Sequence, residues 1–400
     1  MFKLIRGAEV YAPERLGVRD ILIAGRKIAQ VGKDLDPPGG YDYQIIDAYG
    51  KIAYPGFVDI HIHSTGADDG QGPMGRTFDI DWRDIVESGI TTTVGVQGGS
   101  IWVRSLEKLY IKTLELEMMG ITSYMLTGCF KIPPPTLTGS IRKDLYLIEK
   151  VKGIKTAISD PTTAHHTWRD LAAVASEVRI GAGMAKKGAI THIHVGRNPT
   201  RMDVMLEMVE RTGMNPQHIV PTHVNRFNPD VMEQGIEYVK QDGVVDLSSL
   251  MRKEEGTLTG CKVEYAVKRM LHAGCDIENI TISSDGNVPM PIRDEDGRQV
   301  GMYIAPLDFN RREIRDIVNN KVAPFSEALK MVTTNPARIL GIGDTKGEIK
   351  EGYDADIVIA DSVENLGIEK VYAKGRLQVE DGRSLFQGHY QQDPYYSQYH

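Results

Sequence analysis

The sequence predicts a (β/α)₈ barrel of the TIM type, with a small β-sandwich-like domain formed by the N- and C-terminal segments. Three observations predict it. Eight short apolar runs alternate with longer amphipathic stretches between residues 55 and 344. The flanks, 1–54 and 345–400, read instead as short strands and turns. Side chains suited to metal chemistry recur at the ends of several of the short runs, where a barrel of this kind carries its active site.

The N-terminal flank offers half-alternating strands at 3–10, 20–24 and 27–31, broken by glycine. The pattern returns from about Gly347, in KGEIKEGYDADIVIAD and IEKVYAKGRLQVEDG. Two β-rich ends join most simply into one sheet, because chain termini often lie close together. Between them, strands are expected at 56–62, 91–96, 123–127, 155–159, 191–195, 219–222, 244–247 and 279–283. The stretch 201–211 has helical spacing, with Met202, Met205, Met208 and Val209 on one face; core packing explains these methionines better than a soft-metal surface. A doubly wound open sheet would show the same alternation, so the strand count needs the support of the chemistry. The end after Gly388, HYQQDPYYSQYH, is polar and non-periodic and is expected to be a loose or docking terminus.

Composition narrows the class. With 400 residues, 41% of them hydrophobic, the chain can bury a large core. Its 41 glycines are dispersed, which argues against collagen-like or low-complexity sequence. The net charge of −7 mixes both signs without a basic stripe, so nucleic acid is not an expected partner. Cys129, Cys261 and Cys275 have no paired spacing and are read as structural thiols in a reducing compartment. No run approaches the ~18 apolar residues of a membrane helix, and the first residues lack a signal-like apolar segment. A cytoplasmic protein with no membrane partner is expected.

Six residues carry the candidate chemistry. His61 and His63 end the first barrel strand, and positions i and i+2 of a strand point to one face, so both imidazoles can reach one ion. Lys155 lies at the fourth strand, His194 ends the fifth, His223 the sixth, and Asp285 follows the eighth. Imidazole and carboxylate suit Zn²⁺ or a similar divalent ion. Any one of these residues alone would be ordinary; their recurrence at five strand ends, in barrel order, is what points to a site. His165, His166, His218, His272, His389 and His400 do not fall at such ends. His192 shares a face with His194 but sits deeper, where it is expected to be packed.

The segments YPGFVDIHIH, GITTTVGV and TNPARILGI followed by KGEIKEGYDADIVIAD resemble the amidohydrolase superfamily. Within it, MLTGCFKIPPPTLTGSIRKDL, IKTAISD, IHVG, VPTHVNR and ITISSDGN resemble the isoaspartyl dipeptidases in order and spacing, across nearly the whole chain. The resemblance implies a two-metal hydrolase of carbon–nitrogen bonds, with zinc as the expected ion, acting on a small amide or dipeptide-like molecule as a homo-oligomer. It implies that His61, His63 and Asp285 hold one ion and His194 and His223 the other. Lys155, carboxylated, would bridge them. Asp285 would also be the catalytic acid–base, taking a proton from the attacking water and delivering it to the leaving nitrogen.

The substrate-reading positions depart from that family. Its glutamate two residues before a Gly-Pro, which grips the substrate amino group, is Gly70 here, before Gly72-Pro73. Asp68, Asp69 or Gln71 could substitute, and Asp69 is taken as the candidate. The family's carbonyl-polarising tyrosine is Phe130, its carboxylate-clamping arginine is Thr162, and a serine is Pro289. Arg226 is retained and could bind a carboxylate bidentately. His165, His166 and Arg169 are candidates to replace lost contacts. A more apolar pocket suits an N-acyl amino acid, a cyclic amide or a modified dipeptide. A cyclic amidase or deaminase of the same superfamily is the alternative; a non-catalytic scaffold would have no reason to keep all six residues.

Overall fold

The computed structural model describes residues 2–37, 39–68, 75–99, 103–226, 228–250, 260–296 and 298–386. The N-terminal flank supplies β1 (Phe2–Tyr11), β2 (Arg15–Ala24), β3 (Lys27–Gly32), β4 (Tyr43–Asp47) and β5 (Ile52–Pro55). Eight parallel strands follow: β6 (Phe57–Ile62), β7 (Ile90–Gly95), β8 (Thr122–Gly128), β9 (Val151–Ile158), β10 (Ile190–Val195), β11 (Ile219–Thr222), β12 (Val245–Ser248) and β13 (Ile280–Ser283). A hairpin, β14 (Pro289–Arg293) and β15 (Gln299–Ile304), comes after the last of them. The C-terminal flank adds β16 (Ile357–Ala360), β17 (Ile368–Ala373), β18 (Arg376–Glu380) and β19 (Arg383–Ser384).

The eight parallel strands pair in sequence order from β6 to β13. Between β13 and β6 the wall is joined by a parallel bridge, Ile62 to Gly286, and by the His63 N–H donating to the Gly286 carbonyl at 3.0 Å. Buried Asp59 of β6 accepts the Ser284 N–H and the Asn310 side-chain N–H, tying the first strand to the last. Burial pushes its carboxyl up to about 7. All eight strands are buried on both faces, because helices cover the outside and side chains fill the inside. The helix Asp203–Thr212 shows how the cover is made: Met205 and Met208 are buried in the core, and Met202 just before it is buried with them.

The two flanks meet in a second sheet, ordered β19-β18-β17-β16-β5-β1-β2-β3, with β4 beside β1. The junction is β5 against β16, antiparallel from Ile52–Ala360 to Pro55–Ile357. Lys346 reinforces it from below, buried between Asp354 at 2.8 Å and Asp356 at 2.6 Å. β5 leads through Gly56 straight into β6; a side chain at Gly56 would collide with Thr91, so the sheet is fixed close against the barrel.

The loop after β8 is anchored by one buried carboxylate. Asp144 accepts the Thr127 and Thr138 hydroxyls at 2.7 Å each, and the Leu137 and Thr138 N–H groups at 2.9 and 2.8 Å. Asp144→Ala should therefore cost about 2–4 kcal/mol of stability, since it leaves four donors without their acceptor. Denaturant unfolding reads this directly; a loss below about 0.5 kcal/mol, ordinary for a surface change, would show that the loop is held otherwise.

Candidate active site

The inner face of the barrel carries a polar floor below its C-terminal rim. Asp246 of β12 lies at its centre, accepting the Thr222 and Ser283 hydroxyls at 2.6 Å and the Thr281 hydroxyl at 2.9 Å. These residues meet because neighbouring parallel strands align Thr222 with Asp246 and Asp246 with Thr281. Burial pushes the Asp246 carboxyl up to about 6 against the pull of those hydroxyls.

The six residues expected from the sequence converge above this floor. His61 Nε2 and His63 Nε2 lie 3.3 and 3.2 Å from Asp285 Oδ1. His223 Nε2 is 3.8 Å from Asp285 Oδ2, and its ring centroid is 4.7 Å from that of His194. Lys155 Nζ is 3.3 and 3.2 Å from the two ring nitrogens of His61. Backbone geometry supports the convergence: His223 and Asp285 both have positive φ, 69° and 48°, a conformation that turns the chain sharply at the barrel rim. His223 Nδ1 rests against the Ser248 hydroxyl, which fixes its ring.

Lys155 is placed differently from the sequence expectation. β9 starts at Val151 and runs to Ile158, so Lys155 lies inside the strand rather than at its end. The early start was masked by Gly153, which reads as a break. There the backbone of β10 comes so close that a Cβ would strike the Ile190 carbonyl. The deeper position buries Lys155 almost completely and lowers its ammonium pKa to about 7.

Burial also drives the site's imidazoles toward the neutral, lone-pair form. It lowers His61, His192 and His223 well below the ordinary value and His194 to about 4. Asp285 is pushed up by burial, but His63, Arg226 and Lys155 outweigh this and hold its carboxylate ionised. Neutral imidazoles around a buried carboxylate form the donor set a divalent cation takes. His61, His63 and Asp285 bring their ligand atoms within 4.8 Å of one another. Among the described residues, Asp285 Oδ1 and His63 Nδ1 are buried without a hydrogen-bond partner, and an ion beside Asp285 would satisfy the carboxylate.

Sequence reasoning missed three contributors. Asp160, in the turn after β9, lies 3.0 Å from His194 Nε2. Burial raises its carboxyl, but the His194 contact and Thr162 outweigh that and hold it well below the usual range. Strand-end placement was the available signal for it. Asp246 has an inward position in VVDLS, legible only once register is known. His192 is fully buried, as expected, yet its Nε2 lies 3.1 Å from His61 Nδ1.

Phe130, Arg226 and Thr162, three of the candidate substrate positions, lie close to these residues. Phe130 packs its ring on His194, centroids 4.4 Å apart. Arg226 is largely buried, with Nη1 3.3 Å from Asp285 Oδ2. The Thr162 N–H and hydroxyl both donate to Asp160, at 2.8 and 2.6 Å, so this residue braces the His194 partner. His166 sits beside the Thr163 hydroxyl and the Phe130 carbonyl, and Arg169 stacks over Trp168. Pro289 opens β14. Asp69, Gly70, Gln71, Gly72 and Pro73 lie outside the described residues. The three thiols, Cys129, Cys261 and Cys275, are free.

The chain is similar to several known proteins. Residues 52–378 match the amidohydrolase family model. A β-aspartyl dipeptidase of Fervidobacterium islandicum AW-1, solved with β-Asp-Leu, is 33% identical with a TM-score of 0.87, covering 98% of this chain and 100% of its own. A 5-methylthioadenosine/S-adenosylhomocysteine deaminase of Thermococcus onnurineus is 26% identical, over 90% of this chain and 85% of that protein. The dihydropyrimidinase of Brevibacillus agri NCHU1002 shares the fold at 16% identity, TM-score 0.67, with 96% of each chain covered. Among the described residues no helix is long and apolar enough to cross a membrane.

Proposed function

The chain belongs to the amidohydrolase family, and from that premise we propose that it is a two-metal hydrolase of amide-type bonds, isoaspartyl dipeptidase-like but with an altered substrate pocket. One observation carries the reading: His61, His63 and Asp285 form a compact buried ligand group, with Lys155, His194 and His223 around it. When bound, a pair of divalent ions, zinc by the donor types, acidifies water and polarises the amide carbonyl.

The chain's own residues divide the remaining work. His61, His63 and Asp285 would hold one ion, and His194 and His223 the other. Lys155 would serve both as a carbamate: its ammonium first gives up one proton, and the neutral amine then adds CO₂ and releases a second, so that a cation that would repel metals becomes an anion that would bind them. Asp285 presents Oδ1 toward His61 and His63 and Oδ2 toward Arg226. Oδ2 is thus the atom placed to take the water proton and pass it to the leaving nitrogen, while the hydroxyl adds to the acyl carbon. Arg226 keeps that carboxylate ionised between turnovers and offers the substrate a cationic anchor. Phe130, against His194, provides an apolar wall.

The likeness to a deaminase supports a second reading, addition of water to a ring carbon with loss of its exocyclic amino group as ammonia, and the pocket wall suits a planar ring. Elemental analysis together with a substrate panel tests both. An active preparation should carry up to two divalent ions per chain, and one holding none would overturn the metal reading. Among isoaspartyl dipeptides, N-acyl amino acids, cyclic amides and aminopurines, β-Asp-Leu should be a weaker substrate than another class. A kcat/KM for β-Asp-Leu at or above about 10⁴ M⁻¹s⁻¹ would show that the pocket has rebuilt the dipeptide contacts elsewhere.

A further inference from the structure

His192 lies outside the proposed ligand set, yet it packs directly on one member of that set. Register places it opposite Lys155 on β9, one inward-facing position deeper than His194. Its ring meets His61 edge-on, centroids 5.0 Å apart and planes at 76°. The contact joins His192 Nε2 to His61 Nδ1 at 3.1 Å, on the side of His61 away from the nitrogen that faces Asp285.

A histidine can offer one nitrogen's lone pair to an ion only while the other nitrogen carries the proton, and that proton needs an acceptor when buried. Around His61 Nδ1 the choices are few. Lys155 Nζ, at 3.3 Å, is a donor when protonated and carries the carboxyl group once modified. The Thr222 hydroxyl is farther, at 3.5 Å, and gives its own proton to Asp246. His192 Nε2 is the nearest lone pair. We propose that His192 is a positioning residue for the metal centre: its Nε2 accepts the Nδ1–H of His61, fixing that ring so that its Nε2 lone pair faces the ion shared with His63 and Asp285.

The proposal assigns the His192 proton to Nδ1, a buried nitrogen that has no hydrogen-bond partner among the described residues. That buried N–H costs free energy, which the His61 contact must offset. His61, His192 and Asp246 also bring their ligand atoms within 4.8 Å, which raises the alternative of a deeper ion. Three hydroxyl donors already occupy the Asp246 carboxylate, and this favours the hydrogen bond.

The inference rests on the metal reading of the site. The test compares wild type, His192→Val and His192→Gln by zinc content, zinc affinity in chelator competition, and thermal unfolding of the metal-free proteins. His192→Val should bind one of two zinc ions about 10–100-fold more weakly, the usual effect of losing a partner behind a metal-binding histidine, and leave the other ion unchanged. His192→Gln places an amide oxygen at the accepting position and should stay within about threefold of wild type. Equal affinities in wild type and His192→Val overturn the proposal alone. So does equal loss of both ions in both variants, which would mark a packing role. Three ions in wild type and two in His192→Val would make His192 a ligand instead. A wild type that binds no zinc overturns this proposal and the metal reading together.

Discussion

Lys155→Ala is expected to yield a folded protein with activity lowered by about 10³-fold or more, partly restored by added short carboxylic acids. The size follows from what is lost. Metal assistance contributes several kcal/mol of transition-state stabilisation, and about 4 kcal/mol corresponds to about 10³ in rate. The reading makes Lys155, as its carbamate, the only anion shared by both ions; no Asp or Glu occupies that position on β9. Folding should survive, because among the described residues no carboxylate pairs directly with the buried Lys155 amine, whose contacts are to His61. Burial brings that amine to about 7, so near neutrality a large fraction is already the free base that CO₂ addition requires. Acetate or propionate can enter the space left by the side chain and supply the missing carboxylate. Activity within tenfold of wild type would show that Lys155 is not the bridge. A dead variant that keeps both ions at wild-type affinity would place its role in chemistry rather than in metal binding.

What the sequence revealed and what it hid separate along a physical line. The eight barrel strands were legible because a strand covered on both faces must be a short apolar run, and turn-forming residues punctuate such runs. His61 and His63 were legible because a two-residue spacing on a strand is a local property. So was the joining of the two flanks, since both read as short strands and chain termini often lie close together, although β5, which makes the junction with β16, was not among the expected strands. The β14–β15 hairpin was missed because its prolines at 289 and 291 argue against a strand, and its exposed Val300 and Ile304 carry no core signal.

The supporting residues were hidden for a different reason. Asp246 becomes the centre of the polar floor only when β11, β12 and β13 lie in register. His192 meets His61 across the barrel, 131 positions apart in the chain. Asp59 links β6 to the residues after β13 over 225 positions. Spacing arguments see only one strand at a time, so they find side chains that point inward but not which of them touch. The inward-facing candidate residues were therefore readable from local pattern, whereas the contacts between them required the folded chain.

Asp285→Asn isolates the proton-handling role from the rest of the site and should lower kcat by about 10²–10⁴-fold, the range for losing a general acid–base group. The substitution is mild for the backbone: Asp285 sits at φ 48°, a conformation asparagine accepts readily. Among the neighbours Arg226 is the one that loses an acceptor, since its Nη1 lies 3.3 Å from Oδ2 and would face the amide nitrogen. The amide oxygen can stand in for Oδ1 beside His61 and His63, and Arg226 still feels the Asp160 carboxylate as a counter-charge. The atom that changes function is Oδ2, since an amide nitrogen there cannot accept the water proton or return it. KM should change little, because binding the intact amide does not need that transfer. Steady-state kinetics with metal-replete protein reads the split between kcat and KM. If kcat stays within about threefold of wild type, proton transfer runs through another group; a rise in KM with kcat preserved would make Asp285 a binding residue.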